Sequence, residues 1–498
     1  MGDGGGLLTN GSFTPFGQIE ERGRRAASVL ADAGIGAGDS VALLLRNVPA
    51  FIEATLGAQH LGAYPVPINW HFTAHEIGHI LRDSGAKILI AHADLLEKLD
   101  EIAALVDRVF AVADGESRGI APDWSGALAA AAPSNAAPAL APPSMIYTSG
   151  TTGLPKGVRR SPPTPAQAGA VALMRERIYA TAPGMRAMTA APLYHSAPNF
   201  FTLNVLKRGG TMRLNGKFDA EATLATIERD RITHMFMVPT MFVRLLALPA
   251  ATRARYDMST LQSVLHAGAH CPRDIKRQMI DWWGPVIDEY YGSTEMGPLS
   301  YCRSAEWLER PGTVGTPLPG VELSIRSHSG MVCAAGEEGE IVVEQTPQAD
   351  FTYHGDEAKR AALDGAGGMA TGDIGYLDAD GYLFICERIS DMVISGGVNI
   401  YPAEIEAVLI GLPGVRDCAV FGVPHPEFGE TVIACIEAEP AVERPAAEAL
   451  LAGLGTKLSR YKLPREIIFS ARLPRDDSGK IFKRKIKAEY LAQRSEPG

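Results

Sequence analysis

The sequence predicts an α/β protein with a large N-terminal domain and a smaller C-terminal one. Three observations carry this reading. Helix and strand signals alternate through the first half of the chain. A strand-like stretch with Gly-containing turns follows from about residue 320. Beyond Arg388 helix–strand alternation resumes, ending in the basic run "SGKIFKRKIK". Such alternation favours parallel sheets with helices packed on their faces. At 498 residues the chain also exceeds the size at which one hydrophobic core keeps growing.

In order along the chain, "FGQIEERGRRAASVLADAGI" has apolar residues at helical spacing and should stop near Gly34. "SVALLLRN" reads as a short strand, "VPAFIEATLGAQHLGA" as a helix and "YPVPIN" as a strand. "AHEIGHILRDSG" and "AKILIAH" repeat the pattern. Residues 121–143, rich in Ala and Pro, read as a surface connector. In the middle, "DAEATLATIERDRI", "THMFMVP" and "TMFVRLLAL" read as helix, strand and helix. "GVELSIRSHSGMVCAAGEEGEIVVE" is strand-like, and no internal repeat is present.

Composition narrows the function classes. The chain is 46% apolar and 21% charged, with a formal net charge of −10. That balance argues against a nucleic-acid partner and against a polybasic membrane anchor, though not against a local basic patch around an anion. No apolar run approaches the ~20 residues of a membrane-spanning helix. "MGDGGGLLTN" lacks the basic and apolar regions of a signal peptide, and Gly6 stands where a myristoylation motif needs Ser or Thr. Six cysteines, at 271, 302, 333, 386, 418 and 435, form no C-x-x-C pair and no zinc spacing. They are expected to be free thiols in a reducing cytoplasm.

The chemistry-bearing stretch is "YTSGTTGLPKGV" at 147–158. Thr148, Ser149, Thr151 and Thr152 offer hydroxyl donors. Gly150, Gly153 and Gly157 let backbone N–H groups approach a ligand, and Lys156 adds positive charge. That set suits a polyphosphate. It is not a Walker A loop, because Lys156 is followed by Gly157 rather than a hydroxyl residue.

This run resembles the signature of the adenylate-forming superfamily, which includes acyl-CoA synthetases, adenylation domains of peptide synthetases and firefly-type luciferases. Four further segments resemble that family's motifs, in its order: "APLYHSAPN" at 191–199, "YYGSTEMG" at 290–297, "TGDIGYLDADGYLFICERISDMVISGGVNIYPAEIE" at 371–406 and "LPRDDSGKIFKRKI" at 473–486. The resemblance spans almost the whole chain. It implies an N-terminal adenylation domain, 1–387, of helix-covered sheets with a small β-barrel-like subdomain. A small mobile α+β lid, 388–498, would follow, hinged near 388–391.

The resemblance also implies roles. Tyr291 would stack on adenine, with Gly292 beside it and Gly268 of "HAGAH" on the other face. Asp373 and Arg388 would hold the ribose, a carboxylate being able to bridge both hydroxyls. Thr294 would bind the α-phosphate and Glu295 would bind Mg²⁺, a hard cation that prefers oxygen ligands. Lys480 would sit between the attacking carboxylate and the α-phosphate. His195 would be a wall or gate of the acyl pocket, shared with Tyr194, Ser196 and Asn199, or else a satisfied core histidine. Met237, Val238, His266, Ala267, Ala269 and Met296 would complete that pocket. Gly396 and Gly397 would flank a tunnel for coenzyme A. One departure stands out: the family often has Asp or Lys at the hinge, where this chain has Ser390, with Asp391 next door.

The expected reaction is ATP- and Mg²⁺-dependent formation of an acyl-adenylate, then of a thioester with coenzyme A. The pocket residues include no carboxylate and no Lys or Arg, so the acid's tail should be uncharged. A hydroxycinnamate such as ferulate fits the histidines; a medium- or long-chain fatty acid is the alternative. A stand-alone enzyme that loads a carrier protein, and an adenylate-binding protein without catalysis, are further alternatives. Retained Lys480 and Glu295 argue against the last. A homodimer stays open.

Overall fold

The computed structural model describes the chain except residues 1–3, 10, 98–101, 114–120, 149–153, 181, 183, 366, 390, 396–397, 427, 441, 476–480 and 496–498. Two parallel-centred sheets dominate. In the nine-stranded one the hydrogen-bonded order is Thr316–Pro317, Gly297–Cys302, Ile287–Ser293, Ser263–His266, His234–Met237, Arg186–Thr189, Thr211–Leu214, Gly6–Thr9 and Ser12–Pro15. Its middle strands are parallel and its outer pairs antiparallel. The four-stranded sheet, Tyr64–Pro67, Ser40–Leu44, Ala86–His92 and Arg108–Val112, is parallel throughout.

The helices between these strands form where the periodicity places them. Phe16–Asp32 ends just before Gly34, whose φ of +84° lies in the left-handed region that glycine tolerates. Ala74–Ser84 starts at Thr73, whose side chain accepts from the Glu76 N–H while Glu76 reciprocates, a capping box. Arg273–Trp283 buries Lys276, Met279, Ile280 and Trp283 along one stripe.

The connector expected at 121–143 is partly structured. Trp124–Ala130 is a helix, with the Asp123 side chain accepting from the Gly126 N–H. Trp124 and Leu128, one turn apart, are buried in the main core, Trp124 edge-on to Phe110. The Ala/Pro composition concealed this two-residue anchor.

The strand-rich stretch after residue 320 is a five-stranded antiparallel sheet with its own small core of Val314, Ile325, Ile341 and Leu383. Its edge strands Glu322–Arg326 and Leu383–Arg388 are not paired with each other; the Leu383 end is bonded instead to Val314 and Gly315. A three-stranded sheet, Phe351–Tyr353, Lys156–Arg160 and Ile146–Thr148, carries the start and end of the hydroxyl-rich loop.

The C-terminal part builds a separate sheet from Val398–Ile400, Val393–Ser395, Gly429–Ala438, Val415–His425 and Glu466–Ser470. Distinct apolar clusters cover it, one around Ile405, Leu409, Leu450 and Leu454, the other around Phe421, Leu473, Ile486 and Tyr490. Among the described residues, polar contacts link it to the rest of the chain. The Glu387 carboxylate accepts the Ala403 N–H at 2.7 Å, and the Tyr401 hydroxyl donates to Glu338 at 2.8 Å. No helix among the described residues is long and apolar enough to cross a membrane, and all six cysteines are free thiols.

Candidate active site

The strand Ile287–Ser293 turns tightly into Gly297–Cys302, and the turn presents Thr294, Glu295 and Met296. Gly292 allows this: a Cβ there would lie 2.2 Å from the Gly297 carbonyl oxygen. The Ser293 hydroxyl accepts the Met296 N–H at 3.0 Å. Arg160 clamps the turn from below, donating to the backbone carbonyls of Thr294 and Glu295 and to that of Ala349.

Three separate stretches converge on this turn. The Thr148 hydroxyl donates to Glu295 Oε1 at 3.4 Å, and the Tyr353 hydroxyl donates to the same oxygen at 3.3 Å. Ser196, at the start of helix Ser196–Lys207, lies 3.1 Å from the Thr294 hydroxyl. Lys156, on the next strand, pairs with Asp356 at 3.4 Å. Among the described residues no group of three His, Cys, Asp or Glu side chains could hold a metal ion by itself. One carboxylate supported by two hydroxyls instead fits Mg²⁺, which takes one or two protein carboxylates and completes its shell with phosphate and water oxygens.

A second focus lies beside it. The Tyr291 hydroxyl donates to Asp373 Oδ2 at 2.6 Å, and Arg388 Nε lies 3.5 Å from Asp373 Oδ1. Asp373 is only 8% exposed. Burial pushes its carboxyl above the usual range, while Arg388 and the Tyr291 hydroxyl hold it down. Burial and the Asp373 charge together push the Tyr291 phenol well up. Gly268 has φ +86°, and a Cβ there would meet nothing within 4 Å. Its backbone therefore favours glycine, and the space in front of it is open for a flat ring.

The acyl-side residues are less uniform than the sequence implies. Tyr194, Met237, Val238, Ala267 and Met296 are buried and apolar or aromatic, whereas Ala269 is exposed. His195 occupies the N-cap position of its helix and packs on Tyr194 with ring centroids 4.6 Å apart. Asn199 is spent on structure: it donates to the Leu193 carbonyl at 3.0 Å and accepts from Ser144 at 3.5 Å. His266 is fully buried. Behind it lies a pair that the sequence did not announce, Lys276 donating to Glu289 at 2.7 Å.

Ser149, Gly150, Thr151, Thr152, Ser390, Gly396, Gly397 and Lys480 lie outside the described residues. The described flanks of Lys480 are fastened on either side: Arg475 pairs with Asp417 through Nε at 2.6 Å, and Lys483 with Glu406 at 2.8 Å.

Residues 9–349 match the AMP-binding enzyme family, and residues 404–480 match the AMP-binding enzyme C-terminal domain. The chain belongs to the AMP-binding enzymes. A feruloyl-CoA synthase of an Amycolatopsis species is 35% identical over 96% of this chain and 94% of its own length. A long-chain-fatty-acid–CoA ligase of Mycobacterium tuberculosis is 32% identical over 96% and 93%. An anthranilate CoA ligase solved in complex with anthranoyl-AMP superposes with a TM-score of 0.88, at 26% identity over 98% of this chain and 95% of that one. This AMP-binding enzyme is thus an acyl-CoA synthetase, an ATP-dependent acid:CoA ligase of the adenylate-forming superfamily, as the motifs imply. The residues that motif reading missed are Arg160, Tyr353, Glu289 and Lys276. Glu289 directly precedes "YYGSTEMG", and Lys276 interrupts the apolar stripe of "RDIKRQMIDWW"; both were visible as charges at core positions.

Proposed function

We propose that this acid:CoA ligase activates an aromatic acid with an uncharged, hydroxylated tail, of the hydroxycinnamate type such as ferulate. The observation that carries the reading is the composition of the buried acyl side: Met237, Val238, Ala267 and Met296 with the single imidazole of His266 among them. A long alkyl chain would leave that imidazole unpaired and forgo a hydrogen bond worth ~0.5–1.5 kcal/mol. An aromatic ring suits the apolar wall, and its hydroxyl suits the imidazole. The 35% identity to a feruloyl-CoA synthase supports the same choice.

In the proposed reaction the acid's carboxylate attacks the α-phosphorus of ATP and pyrophosphate leaves. The thiol of coenzyme A then displaces AMP. Tyr291 and Gly268 hold adenine, and Asp373 with Arg388 holds the ribose. Thr294 and the 148–156 hydroxyls and lysine orient the phosphates. Glu295 would hold the Mg²⁺ that neutralises their charge. Bringing two anions together makes positioning and positive charge the main needs, and Lys480 supplies charge at the attacking carboxylate. For the second step the lid, 388–498, turns about Ser390 and brings Gly396–Gly397 beside the thiol's route.

The test is kcat/KM for ferulate, benzoate, octanoate and palmitate with coenzyme A. Ferulate should lead. An octanoate or palmitate value tenfold higher, ~1.4 kcal/mol of transition-state preference, would replace the aryl reading with a fatty-acid one, for which the 32% identical long-chain ligase is the precedent.

A further inference from the structure

The first turn of helix Pro402–Leu409, in the C-terminal part, is gripped by two carboxylates from the large N-terminal part. Glu387 Oε2 accepts the Ala403 N–H at 2.7 Å, and the Tyr401 hydroxyl donates to Glu338 at 2.8 Å. A helix N-terminus leaves its first N–H groups unpaired and favours negative charge. Tyr401, at the N-cap, makes no capping bond to its own helix. Glu387 therefore fills that place from outside the helix. Its other oxygen is also used: Oε1 accepts the Arg388 N–H at 3.0 Å. Arg388 ends strand Leu383–Arg388 opposite its register partner Asp373. One carboxylate thus ties the strand end that carries the proposed ribose pair to a helix of the C-terminal part.

The charges around this grip support it. Glu387 is only 8% exposed. Burial pushes its carboxyl up, while Lys483 and the two N–H donors hold it down. Lys483 begins helix Lys483–Ser495, three residues beyond Lys480, and pairs with Glu406 of the gripped helix at 2.8 Å. Elsewhere the seam between the two parts is unfavourable. Burial and the charges of Arg475, Arg416 and Arg472 hold Arg244 of helix Pro239–Leu246 below its usual range, with Asp417 opposing them. Arginines facing an arginine push the two parts apart, and the grip on residues 401–403 opposes that push.

We infer that Glu387 is a positioning residue that holds the lid seated for adenylation, and that its bond to Ala403 must break before thioester formation. The inference rests on the reading of residues 388–498 as a lid that serves the two half-reactions in different positions. Glu387 precedes the proposed hinge at 388–391 and Ala403 follows it. The bond therefore spans the hinge, and a turn of the lid about Ser390 parts its two ends. A bond made in one of two arrangements shifts their balance by its own strength.

The test measures the half-reactions separately in Glu387→Ala, Glu387→Gln and Tyr401→Phe, with whichever of the four acids above is activated fastest. Adenylation is followed by hydroxylamine trapping of the acyl-adenylate, and thioester formation by adding coenzyme A to supplied acyl-adenylate. In Glu387→Ala the ratio of thioester formation to adenylation should rise about tenfold, as for one lost bond to a charged acceptor. Glu387→Gln keeps an oxygen for the Ala403 N–H without the charge, and Tyr401→Phe removes only the second grip. Each should raise the ratio about threefold. The acyl-adenylate carries the same ribose as ATP, so a Glu387 variant that only disturbed Arg388 or the framework would lose both half-reactions alike. Equal loss, or an unchanged ratio, would overturn the inference. Lys480→Ala, measured beside them, tells the two readings apart. If it suppresses adenylation alone while the Glu387 variants leave the ratio unchanged, the lid reading stands and the grip falls. If it too leaves the ratio unchanged, the lid reading falls as well.

Discussion

The proposed nucleotide side and the proposed acyl side of this enzyme are built in opposite ways. On the nucleotide side, Thr148, Glu295, Tyr353, Tyr291, Asp373 and Arg388 meet through hydrogen bonds and one ion pair at 2.6–3.5 Å. They sit on turns and strand ends, and Arg388 is half exposed. On the acyl side, Lys276, Glu289 and His266 form one fully packed group between a helix and the sheet. The first arrangement is pairwise, and the ligand finishes it. The second is finished before any ligand arrives. Loss of one residue should therefore cost binding on the nucleotide side and folding on the acyl side.

The largest effect should separate the two directly. Glu289→Ala leaves the Lys276 ammonium buried without its partner, so stability should drop by about 3–5 kcal/mol. The double change Lys276→Met/Glu289→Leu removes both charges and should come within about 1–2 kcal/mol of wild type. Denaturant unfolding of the three proteins checks this. If the single variant were no less stable than the double, the pair would not be an integral part of the core. Next comes Lys480→Ala, which should cut adenylation by ~10²–10³-fold, as for one lost transition-state donor. Thioester formation from supplied acyl-adenylate should largely survive. Equal loss of both half-reactions would remove Lys480 from its assigned role.

The same contrast explains what could be read from sequence. Nucleotide-side residues fall in contiguous motifs because each turn must present several groups at once, as "YYGSTEMG" presents Tyr291, Thr294 and Glu295. Helix and strand alternation was equally legible, since burial on one face imposes a period. The helix Trp124–Ala130 was not, because only two of its side chains are buried and the composition around it is that of a linker. Nor was the Glu289–Lys276 pair, thirteen residues apart in sequence and joined only by the packing of a helix on a sheet. Asn199 shows the converse case. Its place in "YHSAPN" suggested the substrate, but its amide is bonded to Leu193 and Ser144.

A nucleotide-side loss should be selective in the way the comparison requires. Asp373→Ala removes the carboxylate that would pair the ribose, and charged hydrogen bonds are worth about 1.5–3 kcal/mol. kcat/KM for ATP should fall about 10- to 150-fold, with KM for coenzyme A unchanged. An equal fall in kcat/KM for ATP and for coenzyme A would place Asp373 in the framework rather than at the nucleotide.

Tyr291→Phe should give the smallest effect and the sharpest distinction. The ring that would stack on adenine is kept, and only the 2.6 Å bond to Asp373 is lost. One such bond to a charged acceptor in a half-open site is worth ~1–2 kcal/mol, so kcat/KM for ATP should fall roughly 5- to 30-fold with no change in acyl selectivity. The pH dependence carries more information. Burial already pushes the Asp373 carboxyl up, and the Tyr291 hydroxyl is one of two groups opposing this by bonding to the ionised form. Without it the carboxyl's pKa rises further, so ionisation is lost at a higher pH as the solution is acidified. The acid limb of kcat/KM for ATP should therefore move to higher pH in the variant, while that of Arg388→Lys, which keeps a cation beside Asp373, should move less. A limb that stayed in place in Tyr291→Phe would mean that Asp373 does not hold the nucleotide in its ionised form.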